Sequence, residues 1–266
     1  MTLALLISIA IVLSVLLAGA WAIQRLTGNS GWIDTMWSLS AGIGALIGIY
    51  YAAGAQVERQ WIAAAIILIW SLRLASHIAS RSAGASEDPR YAALMEEWGE
   101  KRASRLFWFL QIQAAAAFVL ALAPLSAVSI NAPFPQGTDW LALAIAVIAI
   151  GGETLADRQL THFRKTNTVK GAVCEIGLWK YSRHPNYFFE WLFWCSWPVL
   201  ALSGLLQTPF YVLLALGAPA MMYWLLVHVS GIPPLEKHML NSRGETFKAY
   251  QERVNAFFPG PRSTNA

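Results

Sequence analysis

Seven stretches of this chain run for about twenty residues with few charges, at residues 3–25, 31–53, 61–80, 106–129, 140–157, 187–206 and 210–231. A helix of about 20 mainly apolar residues is long enough to cross the hydrocarbon core of a bilayer. Inside lipid every backbone amide must find its partner within the chain, so such stretches become helices. Only 13% of the residues are charged. A soluble domain carries about twice that share, so this chain cannot clothe a water-facing surface. Thirteen Trp and eight Tyr suit the two membrane interfaces. The pattern predicts an all-α, polytopic integral membrane bundle of seven transmembrane helices. Residues 233–258 are polar and amphipathic, and predict a C-terminal cytosolic helix that opens at Pro233-Pro234 and stops before Pro259.

Basic residues set the expected orientation. Arg25 lies in the first loop. Arg81, Arg90, Lys101, Arg102 and Arg105 lie in the third. Arg158, Arg164, Lys165, Lys170, Lys180 and Arg183 lie in the fifth, and Lys237, Arg243, Lys248, Arg253 and Arg262 in the tail. Arg59 alone falls on the opposite side, and Arg73 falls inside the third stretch. Loops three and five and the C-terminus are therefore expected in the cytoplasm, at a bacterial-type inner membrane. No Lys or Arg precedes the first stretch, which reads as an uncleaved span and not a signal peptide. The net charge of +4 reflects this topology. Its cations are spread over separate loops, which excludes a nucleic-acid patch.

Cys174 and Cys195 form no disulfide framework, and no His/Cys cluster has metal-ligand spacing. Gly44 and Gly48 are spaced for close helix contact. A dinucleotide fingerprint of the Rossmann type is absent. Chemistry must then come from polar residues in or beside the spans, where a charge costs about 2.5–3.5 kcal/mol to insert. Asp34, Arg73, Glu153, Asp157 and Glu190 are such residues. Either they lock helices together or they line a ligand cavity, and their number favours a site. Gln111 and Gln113 suit hydrogen bonds across helices, with Gln113 or Gln111 touching a ligand as the lesser reading.

Residues 177–191 are the most informative block. Lys180, Tyr181, Arg183 and His184 precede Pro185, and a helix begins near Asn186. A helix N-terminus with cations before it suits phosphate. Asn186 and Glu190 lie one turn apart on one face. An aromatic belt with positive flanks is the plainer reading.

The run from Gly177 through Tyr187 resembles the C-terminal motif shared by steroid 5α-reductases, sterol C14-reductases and isoprenylcysteine carboxyl methyltransferases. Residues 87–91 (Glu-Asp-Pro-Arg-Tyr), followed by Trp98-Gly99, resemble a bacterial branch of 5α-reductase-like membrane proteins. The tail is similar from Glu236 to Phe247 and at Tyr250, Arg253 and Phe258-Pro259. The resemblance to the steroid 5α-reductase family implies NADPH as cofactor. It also implies cofactor-side roles for Glu153, Asp157, Arg164, Lys165, Lys170, Tyr181, Arg183, His184, Asn186, Glu190, Glu236, Tyr250 and Arg253. Glu153 stands where that family has Asn. The implied reaction saturates a C=C bond conjugated to a ketone, most typically the Δ4 bond of a 3-oxo-steroid. Such reductases place an acid on the second span and a Tyr on the third. Asp34 is the acid of span two here, Trp70 stands where the Tyr is expected, and Tyr91 is the substitute. Asp34 is equally suited to pair with Arg73.

The expected layout is a single membrane domain over residues 1–266. Residues 1–130 would form the substrate side and residues 140–260 the NADPH portion. The expected partners are a lipophilic small molecule and membrane lipids, with no metal and no nucleic acid. Two other readings stand beside this one. An S-adenosylmethionine-dependent membrane methyltransferase shares the Arg183–Tyr187 motif, but its cofactor lacks the phosphates that six cations in one loop would serve. A non-enzymatic lipid-binding protein would bind no nucleotide.

Overall fold

The computed structural model describes residues 1–83 and 88–263. Glu87, the first residue of the Glu-Asp-Pro-Arg-Tyr motif, lies outside the described residues. Among those described the fold is helical throughout, without strands. The helices are α1 (Leu3–Thr27), α2 (Trp32–Tyr50), α3 (Val57–Ser82), α4 (Pro89–Trp98), α5 (Arg102–Val128), α6 (Gly137–Thr166), α7 (Pro185–Ala201), α8 (Pro209–Trp224), α9 (Ile232–Arg243) and α10 (Glu245–Arg253).

Six helical stretches are long and apolar enough to cross a membrane: Leu3–Thr27, Trp32–Tyr50, Val57–Ser82, Arg90–Val128, Gly137–Thr166 and Pro209–Arg243. The apolar part of the last ends near Val229, before the charges of α9 begin. The seventh expected span, residues 187–206, folds as the 17-residue α7 followed by a 3-10 turn at Leu202–Gly204. Its regular part is short for a crossing, and Gly204 is packed so tightly on Ile130 that a Cβ there would sit 2.7 Å from it. The single expected tail helix is two helices. They break at Gly244, whose φ of +51° is a conformation that favours glycine.

The chain forms two compact units, Met1–Asp139 with Trp197–Ala218, and Trp140–Ser196 with Pro219–Ala266. In the first, α2 packs against α1, α3 and α5. Small residues on α2 permit this. A Cβ on Gly42 would strike Ser71 of α3, one on Gly44 would meet Leu13 of α1, and one on Gly48 would meet Leu125 of α5. Leu13, Leu17, Ile33, Ile67, Trp70, Leu110 and Leu120 fill the interior, while Trp108 and Ile112 stand outward from α5. A surface so apolar is stable against lipid.

Arg59, the one cation expected on the opposite side, is buried here with Asp139. Its Nε and Nη2 donate to Oδ1 and Oδ2 of Asp139 at 2.8 and 3.1 Å. Its Nη1 and Nη2 also donate to the carbonyls of Ala132 and Pro133 at 3.1 and 3.0 Å.

In the second unit, α6 and α7 meet where Gly152 admits the ring of Phe189. Helices α9 and α10 fold back over the segment from residue 167 to 184. Phe247, Tyr250 and Val254 make a small core with Val173 and Met239.

Candidate functional site

Apart from the Arg59–Asp139 pair, polar side chains gather around Asp34 in the first unit and in two groups in the second. In the first, Asp34 occupies the first turn of α2. Its Oδ1 accepts a hydrogen bond from Tyr91 Oη at 2.8 Å, and its Oδ2 accepts one from Arg90 Nη2 at 2.6 Å. Both partners come from α4, a short helix that the sequence positions well. Asp88 caps it, accepting from the Arg90 backbone N–H at 2.9 Å, and proline follows the cap. Arg90 Nε and Nη2 donate to the same Asp88 carboxylate at 3.1 and 2.8 Å. Burial alone would raise the Asp88 carboxyl, but Arg90 holds it below its usual range. From α5, Gln113 Nε2 donates to Tyr91 Oη at 3.2 Å. Tyr91 is 4% exposed, whereas the side chains of Asp34 and Arg90 are 28% and 45% exposed.

The fold therefore brings together Asp34 and Tyr91, the two residues expected to act on a carbonyl, and gives Asp34 an ion pair with Arg90. The alternative partner expected for it was Arg73. In the sequence Arg90 stands out as a loop cation and as part of the Glu-Asp-Pro-Arg-Tyr motif, with no site role attached. Its position next to Tyr91 was the available signal. Gln113 was visible as an amide in an apolar span.

The second cluster joins α6 and α7. Glu153, Asp157 and Glu190 are buried. Asn186 Nδ2 donates to Asp157 Oδ1 at 3.4 Å, and Trp194 Nε1 donates to Glu190 Oε1 at 2.9 Å. Arg164, Lys165, Lys170 and Tyr181 are exposed.

The remaining expected residues bind the tail to the loop. Arg183 Nε and Nη2 donate to Oε1 and Oε2 of Glu236 at 2.7 and 3.1 Å. Arg183 Nη1 donates to the carbonyls of Gln251, at 3.1 Å, and Val254. His184 Nε2 lies 2.8 Å from Glu236 Oε1, and Gln251 Nε2 donates to Oε2 at 2.6 Å. Burial holds the His184 imidazole below its usual range, and because a carboxylate only accepts, Nε2 is the donor to Glu236. Burial would push Glu236 up, yet its hydrogen bonds from His184 and Arg183 hold it at about 2. Tyr250 Oη donates to the carbonyl of Trp179 at 2.6 Å, and burial raises this phenol above its ordinary value. Arg253 and Arg262 share Glu175 at 3.0 and 2.7 Å.

The loop keeps its path through Gly177, at a φ of +54°. A Cβ there would lie 2.1 Å from Gln159, whose Oε1 accepts the Leu178 N–H at 2.9 Å. Trp179 Nε1 donates to the carbonyl of Ala156 at 3.0 Å. Gln159, Glu175 and Gln251 carry no signal in the sequence, and Ser182 is visible there only as a member of the Gly177–Tyr187 run. None is unusual in type, and only the fold shows their partners. No metal-binding group of His, Cys, Asp and Glu occurs among the described residues.

Six apolar stretches with ionic side chains concentrated in these clusters define an integral membrane protein with a helical bundle. The model of the family described as "Protein of unknown function (DUF1295)" matches residues 20–254, and the chain belongs to that family. It is 25% identical over 276 residues to the uncharacterized protein C594.04c of Schizosaccharomyces pombe, spanning 90% of this chain and 75% of that protein. No solved structure matches.

Proposed function

We propose that this protein is an NADPH-dependent reductase that saturates the C=C bond of a lipophilic enone, with the Δ4 bond of a 3-oxo-steroid as the leading substrate class. The observation that carries the reading is the 2.8 Å hydrogen bond between Tyr91 Oη and Asp34 Oδ1, steadied by Gln113 within an apolar bundle. A carbonyl oxygen arriving there takes the Tyr91 hydrogen bond in place of Asp34. Gln113 keeps the phenol oriented, and Arg90 balances the carboxylate. The phenol then stabilises the enolate charge as it develops. Asp34, part exposed, passes a proton from solvent toward the α-carbon.

The donor set of the second unit fits a phosphorylated dinucleotide. Lys165, Lys170 and the exposed arginine Arg164 suit its phosphates. Asp157, Asn186 and Glu190 suit its ribose and carboxamide. When bound, NADPH supplies the hydride that the β-carbon takes. Arg183, His184, Glu236, Tyr250 and Arg253 support this surface by holding the tail in place. The motif resemblance and the basic loops agree with this reading. They also agree with a cytoplasmic position for loops three and five and the tail, which requires α7 and its following turn to make a seventh crossing.

The test is the purified protein in detergent, incubated with NADPH and a Δ4-3-ketosteroid. The expected product is the 5α-saturated ketone. NADPH at a hundred times its Kd should also stabilise the fold by about 2.7 kcal/mol. A rise in unfolding temperature with S-adenosylmethionine alone, and none with NADPH, sinks the reductase reading in favour of a methyltransferase.

A further inference from the structure

Two glutamines on α5 show what a structural amide looks like and what a different one looks like. Gln111 is satisfied at both ends by one partner on α1. Its Oε1 accepts from Ser14 Oγ at 2.7 Å, and its Nε2 donates to the Ser14 carbonyl at 3.4 Å. Gln113, about 200° further round the helix, uses only its nitrogen. Its orientation is forced. Tyr91 has one proton, and that proton goes to a carboxylate, which only accepts. Toward Gln113 the phenol oxygen is therefore an acceptor, and the amide must turn its N–H to it. Oε1 is left facing elsewhere, buried and without a hydrogen-bond partner. Ser30 Oγ and Thr35 Oγ1, on either side of Asp34 in sequence, are also buried without partners. A buried acceptor left unmet costs about 1–3 kcal/mol, and such atoms call for an explanation.

We infer that Gln113 is a specificity residue whose Oε1 accepts a hydrogen bond from a hydroxyl of the bound ligand. This inference rests on the reductase reading for the ligand's position. With the ketone at Tyr91 Oη, Oε1 lies one amide width beyond the atom that holds the phenol. A hydroxyl on a carbon next to the carbonyl is the one closest to that reach. The preferred substrate class is an enone bearing a vicinal hydroxyl, not a plain enone.

The probes are a Δ4-3-ketosteroid and its 2-hydroxy derivative, titrated into the full chain in detergent. Binding is read from tryptophan fluorescence, turnover from NADPH oxidation, and stability from the unfolding temperature. The wild type should bind the hydroxy ketone about tenfold more tightly, the worth of one newly satisfied acceptor. Gln113→Met should erase that preference without lowering the unfolding temperature. Gln111→Met should keep the preference and lower the unfolding temperature. Equal affinity of the wild type for the two probes, or binding of neither, overturns the inference. So does a Gln113→Met protein that keeps the preference. Reduction of both probes with equal affinity overturns it while leaving the reductase reading intact. A tenfold preference without reduction of either probe leaves Gln113 in its role and ends the reductase reading.

Discussion

Arg59 and Arg90 each bring a guanidinium to an aspartate near the end of a helix in the first unit, and they do so in opposite ways. Arg59 is 1% exposed, meets both oxygens of Asp139 and donates to two carbonyls, so four of its five N–H groups are engaged. Buried to that degree, it presents no face to solvent. Arg90 is nearly half exposed and divides itself between Asp88 and Asp34. Beyond Asp34 the chain of hydrogen bonds runs inward through Tyr91 to Gln113 and stops at an unmet oxygen. A closed pair of this kind holds helices together. An open chain, with one end in solvent and the other waiting for a partner, is what proton movement and ligand selection require.

The largest expected effect falls on the closed pair. Arg59→Leu leaves Asp139 buried without its counter-charge and should cost about 3–5 kcal/mol, measured as a drop in unfolding temperature and in folded yield. Replacing both residues with leucine should restore much of that stability. If the single variant loses nothing, the contrast fails at its closed end. Next comes the open chain. Tyr91→Phe keeps the ring against Phe109 and removes the hydroxyl, so enone reduction should fall about a hundredfold or more with stability within about 1 kcal/mol. Unchanged turnover would reduce Asp34 and Tyr91 to a helix tie.

Glu236 offers a second closed knot, and pH reads it. Its carboxyl is held at about 2 against an ordinary value near 4.5. The unfolded tail therefore binds more protons in acid, and the stability from Glu236 is complete above about 4.5 and lost as pH falls toward 2. His184 acts in the same direction below its ordinary value of about 6.5, because burial disfavours the charged imidazole in the folded state. Proteolysis of residues 244–263 should thus rise from mildly acid pH downward. Glu236→Gln should produce that lability at neutral pH, at a cost of about 2–3 kcal/mol. A tail equally protected at pH 3 and pH 7 would contradict this. The smallest effect belongs to exposed charge. Lys165→Ala with Lys170→Ala should weaken NADPH binding several-fold in low salt and less in high salt, as titration calorimetry would show.

Much of the helix plan could be read directly. Long apolar runs with interfacial Trp and Tyr force helices in lipid, and Asp88-Pro89 announces the start of α4. The ends were harder. Residues 187–206 are as apolar as a span, but the regular helix stops at Ala201, where a turn packed on Ile130 takes over. One amphipathic tail became two helices because Gly244 takes a φ that favours glycine. Of the candidate site residues, Asp34 was legible as a costly polar group beside a span, and Tyr91 only through the motif's resemblance. That Arg183, His184 and Glu236 serve one another was not legible. Fifty-two residues separate His184 from Glu236, and no local pattern encodes so distant a pairing.

By itself the sequence determined the solvent of this protein, its helical character and the short list of polar residues that must be accounted for. All three follow from composition and spacing, because the penalty for a charge or a bare amide in lipid applies wherever the chain goes. Tertiary structure alone decided which of those residues close on each other and which keep an atom in reserve. That distinction depends on distances of about 3 Å between groups far apart along the chain, and only the packed helices set them.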